Sequence, residues 1–174
     1  MLTLLTGPVH CGKTTLLNTV VTRLKEDRKS ITGYLSLSLR RKGSVVGYDL
    51  WDCRTGEREP FLRTEGRAHW ERTGPFFCRP ETMRKAGHII ASSRRFDYCI
   101  IDEIGPLELR GGGIWPSLSR LTPGGAMEDI WVVREKLVPG LLARFPQVSD
   151  AQVCSIRDFP SPEKLLTLIE GAET

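Results

Sequence analysis

The run Gly7-Pro8-Val9-His10-Cys11-Gly12-Lys13-Thr14-Thr15 lies between an apolar stretch, Leu2-Thr3-Leu4-Leu5, and an amphipathic one that runs from Leu16 to Leu24. Its spacing, G-x-x-x-x-G-K-T, is what a chain needs in order to wrap an anion. The backbone must turn tightly and aim several N–H groups into one hollow, and Gly7 and Gly12 allow those dihedrals. Leu16, Leu17, Val20, Val21 and Leu24 recur at helical spacing, so a helix starts directly behind the loop and adds the partial positive charge of its N-terminus. All nine residues, Gly7, Pro8, Val9, His10, Cys11, Gly12, Lys13, Thr14 and Thr15, are read as a phosphate-binding Walker A loop. Lys13 is placed on the β- and γ-phosphates and the Thr14 hydroxyl on Mg²⁺.

A second stretch, Phe96-Asp97-Tyr98-Cys99-Ile100-Ile101-Asp102-Glu103, is an apolar strand that ends in two carboxylates. Beside a phosphate loop, an Asp at such a strand end holds the Mg²⁺, and this Walker B position is given to Asp102. Glu103 can accept a hydrogen bond from a water lined up on the γ-phosphate and so serve as general base. Asp129-Ile130-Trp131-Val132-Val133 reads as a buried strand whose carboxyl end delivers Arg134, a candidate γ-phosphate sensor or transition-state cation. Lys13, Glu103 and Arg134 are therefore the expected catalytic residues, and Thr14 and Asp102 the expected metal ligands.

Between these motifs, Ile31 to Leu39 alternates apolar and polar positions as a half-buried strand does. Val45 to Trp51 and Glu59 to Leu62 follow after short turns, and strands joined so closely must be antiparallel. Residues 63–79 are polar and carry Gly66, Gly74 and Pro75, which predicts a surface loop. Pro80 suits the start of a helix reaching about Arg94. Ile114 to Leu121 reads as a short helix ended by Thr122-Pro123-Gly124-Gly125. A helix from Val138 to Phe145, a strand from Gln152 to Ile156 and a last helix behind Ser161-Pro162 complete the pattern.

With 174 residues and 40% hydrophobic content, one domain spanning 1–174 is expected. The net charge of +4 and pI near 8.9 suit a polyanionic ligand but fall short of a nucleic-acid-binding composition. No protein partner is indicated. No apolar run of about 18 residues and no leader pattern occur, so a cytoplasmic protein without membrane contact is expected. The five cysteines have no C-x-x-C pair and are read as free thiols; Cys11 is the one to watch for oxidation, because Lys13 and a helix N-terminus beside it favour a thiolate. A guanine-reading N-K-x-D signature is excluded, because Asn18 is the only asparagine.

Leu4-Leu5-Thr6-Gly7-Pro8 with Gly12-Lys13-Thr14-Thr15, then Gly33-Tyr34, Gly47-Tyr48-Asp49 and Ile101-Asp102-Glu103-Ile104-Gly105-Pro106-Leu107-Glu108-Leu109, resemble the small nucleoside-triphosphatase family of thermophilic and cancer-related NTPases. The resemblance implies an α/β, RecA-like P-loop fold of three layers. Its sheet would be mixed but mainly parallel, with an antiparallel meander after the first helix. It further implies slow, Mg²⁺-dependent hydrolysis of ATP, GTP and other NTPs to NDP and phosphate. The chain departs from that pattern at Val9-His10-Cys11, at Pro106 where some relatives carry Lys, and at Val133-Arg134. Two alternatives remain beside hydrolysis: a small-molecule kinase whose lid would draw on the cations from Arg79 to Arg95, and a nucleotide-gated binding switch.

Overall fold

The computed structural model describes residues 1–9, 11–121 and 128–171. The elements run β1 (Leu2–Thr6), α1 (Lys13–Glu26), β2 (Ile31–Arg41), β3 (Ser44–Asp52), β4 (Arg58–Arg63), β5 (Glu71–Thr73), β6 (Phe76–Cys78), α2 (Pro80–Ala91), β7 (Tyr98–Ile104), α3 (Pro106–Leu109), α4 (Trp115–Leu118), β8 (Glu128–Val133), α5 (Val138–Arg144), β9 (Gln152–Ser155) and α6 (Pro162–Glu170). Short 3-10 turns follow α2, β8, α5 and β9.

The strands form one sheet in the order β5-β6-β4-β3-β2-β7-β8-β1-β9. Strand side chains point alternately to the two faces, and the central strands are apolar in both directions. On one face Leu4, Ile101, Trp131 and Val133 join Ile90 of α2 and Leu141 of α5. On the other, Leu5, Ile100, Ile130 and Val132 meet Leu17, Val20, Val21 and Leu24 of α1 and Leu165 of α6. Helices on both faces explain why these strands read as continuous apolar runs.

The sheet is mixed, as expected, but it is not mainly parallel. β1, β2, β7, β8 and β9 pair in parallel, while β2-β3, β3-β4, β4-β6 and β5-β6 pair antiparallel, so the two kinds balance. Residues 63–79 supply two of the antiparallel pairs. Rather than a loop throughout, they fold Glu71–Thr73 onto Phe76–Cys78 around Gly74 and extend the meander. Strands of three residues are too short to show a period. α2 ends at Ala91 instead of Arg94, and the residues predicted to end the short helix after Ile114 lie outside the described residues.

Gly33 lets the parallel half and the meander meet. It has φ +110°, and a Cβ there would lie 2.0 Å from the Ile100 carbonyl oxygen of β7. Only glycine admits that approach of two backbones. It brings the next turn of β2 against the acidic end of β7.

Candidate functional site: a phosphate loop facing two carboxylates

β1, β2, β7 and β8 run in parallel, so their carboxyl ends open on the same edge of the sheet, where ligands of open α/β folds gather. A cleft of about 370 Å³ lies there. Val9, Cys11, Gly12, Lys13, Thr14 and Thr15 form one wall; Ser36, Asp102, Glu103 and Arg134 face them. The structure thus brings the residues of the two predicted motifs, and Arg134, into one site. Gly7 and Pro8 turn their carbonyls to Lys13 behind that wall, and His10 lies outside the described residues.

The loop takes its shape from Gly7 at φ +148° and Gly12 at φ +93°. Gly12 is the residue before α1, no side chain caps that helix, and its first turn has no acid. The leading N–H groups of α1 are consequently left for an anion rather than for the protein's own carboxylates. Lys13 Nζ donates to the Gly7 carbonyl at 3.0 Å and the Pro8 carbonyl at 2.6 Å, and lies 3.5 Å from the exposed Cys11 thiol.

Asp102 is buried, and its Oδ2 accepts from the Thr14 hydroxyl at 2.9 Å and from the Ser36 backbone N–H at 2.9 Å. Burial pushes its carboxyl up to about 6; those two hydrogen bonds and Lys13 oppose the shift, while the Glu103 charge adds to it. The pairing of β7 with β8 shifts register between Ile101 and Ile104, and Glu103 takes φ +79° within that bulge. A bulge re-aims the side chains around it. Glu103 reaches the cleft mouth, where Arg134 Nε donates to its Oε1 at 2.8 Å and Nη2 donates to the same oxygen. Arg134 is therefore both at the site and in an ion pair.

The donor set fits a hard divalent cation. Thr14 Oγ1 and the Asp102 carboxylate touch each other, and Mg²⁺ uses one or two protein oxygens, leaving the rest of its octahedron to phosphate and water.

Ser36 is a site residue that the sequence reading missed. It is buried, and its row on β2 continues to Ser38 and Arg40, which line the cleft and are exposed there. The period-two pattern predicts a half-buried strand, but residues 31–36 of β2 are buried on both faces and alternation with exposed positions begins only beyond Ser36. Glu108 is a second residue whose role the sequence does not mark. It is buried, its Oε2 accepts from the Gly105 N–H at 2.9 Å, and it fixes the turn that follows Glu103. Of the cations proposed for a kinase lid, Arg79 and Arg84 pair with Glu81, and Lys85 with Glu57 and Glu59.

The sequence model of a family described as NTPase matches residues 3–159. The chain belongs to this NTPase family. Among curated relatives, nucleoside-triphosphatase THEP1 of Hyperthermus butylicus is 30% identical over 141 residues, covering 80% of this chain and 74% of that one. The protein of the same name from Methanopyrus kandleri is 29% identical over 147 residues, covering 84% and 77%. The crystal structure of THEP1 from Aquifex aeolicus has the same fold, with a TM-score of 0.76 at 20% identity over 98% of this chain and 99% of that one. The solution structure of a human cancer-related nucleoside triphosphatase superposes with a TM-score of 0.67 at 22% identity over 99% and 98%. Among the described residues, no helix is long and apolar enough to cross a membrane.

Proposed function

We propose that this NTPase-family chain hydrolyses nucleoside triphosphates to nucleoside diphosphate and phosphate, taking ATP and GTP with little regard for the base. The observation that carries the reading is the contact of Thr14 with Asp102, with Glu103 and Arg134 one residue and one strand further along the same cleft. The β- and γ-phosphates would lie in the loop, on the N–H groups at the start of α1, with Lys13 exchanging its own loop carbonyls for phosphate oxygens. Thr14 and Asp102 would hold Mg²⁺, which when bound neutralises charge on the phosphate oxygens. Glu103 orients the attacking water and accepts its proton; Lys13 and Arg134 stabilise the charge that spreads over the transferring phosphoryl group.

The order β7-β8-β1 inserts β8 between the acidic strand and the loop strand. This supports assignment to the additional-strand, catalytic-glutamate division of P-loop proteins, which includes the RecA-like folds. A loose choice of base agrees with a sequence that holds a single asparagine, Asn18 on α1.

The test is phosphate release from ATP, GTP, CTP and UTP with Mg²⁺, for the wild type beside Glu103→Gln. Release should need the metal, occur with all four, and fall at least ~100-fold in the variant, the usual reach of one general base, while nucleotide binding persists. Undiminished release by Glu103→Gln would overturn the role given to that residue.

A further inference from the structure

A second cavity, of about 350 Å³, lies against the far side of the same carboxylates. It shares Ser36, Tyr48, Asp102, Glu103 and Arg134 with the nucleotide cleft, so those side chains form a common partition rather than the floor of either space. Beyond the partition the walls change character. Tyr34, Phe61, Phe76, Met83 and Leu107 line it, drawn from β2, β4, β6, α2 and α3. Its size falls within the range of pockets for small organic ligands, roughly 300–1,000 Å³, and it has their composition, largely apolar walls interrupted by a few polar groups, here the partition and Thr73, Glu108 and Arg110.

We propose that this cavity binds a phosphoryl acceptor: a hydroxyl compound of about nucleoside size with a flat aromatic or heteroaromatic ring, its hydroxyl directed at Glu103. The inference rests on the reading above that the γ-phosphate lies over Asp102 and Glu103. Water needs no chamber of its own, and a chamber lined by rings is wasted on it. The rings are held edge to face, Tyr34 with Phe61 at 6.1 Å and Tyr48 with Phe76 at 5.3 Å between centroids, so the aromatic walls are set by their own packing. The bulge that gives Glu103 its φ of +79° places one carboxylate on both spaces, where it can serve a bound hydroxyl as readily as a water.

In the transfer, the acceptor oxygen forms a bond to the γ-phosphorus as the bond from that phosphorus to the β,γ-bridging oxygen breaks. The electron pair of the broken bond leaves with the nucleoside diphosphate, and the hydroxyl proton passes to the Glu103 carboxylate. The products are the phosphate ester of the acceptor and NDP, with no further reactant. Hydrolysis is then the same reaction with water in the acceptor's place.

The experiment incubates the full chain with Mg²⁺ and ATP labelled at the γ-phosphoryl group, with thymidine, the four ribonucleosides or 3-pyridinemethanol as acceptor probes. Labelled ester and free phosphate are measured together. Label should appear on at least one probe. Met83→Trp, which fills the cavity from α2, should lower the ratio of ester to phosphate ~10-fold or more, and Glu103→Gln should lose both products. Phe76→Ala acts from the opposite wall if the larger side chain prevents folding, and should raise the KM for the acceptor by about the same factor, the size of one lost ring contact. Phosphate release without label on any probe overturns the acceptor site and leaves hydrolysis standing. Neither product, from a folded wild type with Mg²⁺, overturns the hydrolysis reading and the acceptor site with it.

Discussion

Arg134 binds the carboxylate of Glu103 across the mouth of the cleft, with Nε 2.8 Å from Oε1, and so ties the end of β8 to the bulge in β7. The two side chains are 45% and 39% exposed, and a pair so open to water contributes at most about 1 kcal/mol. Holding a non-glycine residue at φ +79° costs about 1–3 kcal/mol. The ion pair is therefore too weak to explain why the chain tolerates this conformation. The surrounding sheet imposes it, and the pair aims the two side chains within it.

Arg134→Ala should accordingly change folding stability by less than ~1 kcal/mol while kcat falls at least ~10-fold, because the variant removes a cation at the developing charge. Arg134→Lys should not restore the rate, since an ammonium lacks the fork that engages carboxylate and phosphate. Thermal melts and kcat measured on the same preparations decide it. An unchanged kcat would reduce Arg134 to a surface pair.

Asp102 sets stability against function in another way. Its carboxyl lies near 6 in the fold against a usual 3.8, so the folded state binds this proton more tightly than the unfolded chain does. A raised acid works against folding when ionised. The cost is fully present above pH 6, declines as pH falls through 6, and is gone below about 4; a shift of this size corresponds to roughly 3 kcal/mol. Asp102→Asn keeps an oxygen for Thr14 and Ser36 but has no charge to bury. With chelator and no nucleotide, its Tm should exceed that of the wild type by ~5–10 °C at pH 7.5, and the gap should close as pH falls towards 4. A gap that does not depend on pH would show that burial of this charge is not the cause.

The approach of β2 to β7 gives a third expectation. Gly33→Ala places a methyl 2.0 Å from the Ile100 carbonyl oxygen at a φ of +110°, so the strands must part, and the Ser36 N–H leaves Asp102. Strain and overpacking together should cost on the order of 2–4 kcal/mol. Urea unfolding should show that loss, and Mg²⁺-dependent phosphate release should fall with it. An alanine variant of wild-type stability would mean that the two backbones do not lie this close.

How far the sequence foretold this site follows from where each part is encoded. The loop from Gly7 to Thr15 and the pair Asp102-Glu103 are local strings whose residue types the chemistry demands, and they could be read directly. Ser36 reaches the Asp102 carboxylate through its backbone N–H, which every residue but proline has, and its hydroxyl donates to the Asp102 carbonyl at 3.3 Å, a contact between residues 66 apart that no local pattern marks. The bulge was hidden for the opposite reason, since glutamate at φ +79° contradicts local preference and is imposed by the sheet. The balance of parallel and antiparallel pairs turned on two three-residue strands, and the walls of the second cavity beyond its partition draw on β2, β4, β5, β6, α2 and α3. Neither has a contiguous signature.

The backbone at position 103 supplies the last prediction. A glutamate held in the left-handed region is expected to be less stable than glycine there, because the strain of about 1–3 kcal/mol outweighs the roughly 0.5–1 kcal/mol by which glycine's freedom in the unfolded chain opposes folding. Glu103→Gly should therefore raise folding stability by about 1 kcal/mol while hydrolysis falls as far as in Glu103→Gln, with ATP still bound. Glu103→Gln keeps the side chain and the strain, so its stability should stay with the wild type. Urea unfolding of the three proteins, beside their phosphate release, separates backbone from carboxylate: strain at this position predicts that glycine alone stabilises, and equal stability in all three would remove strain from the account of the bulge.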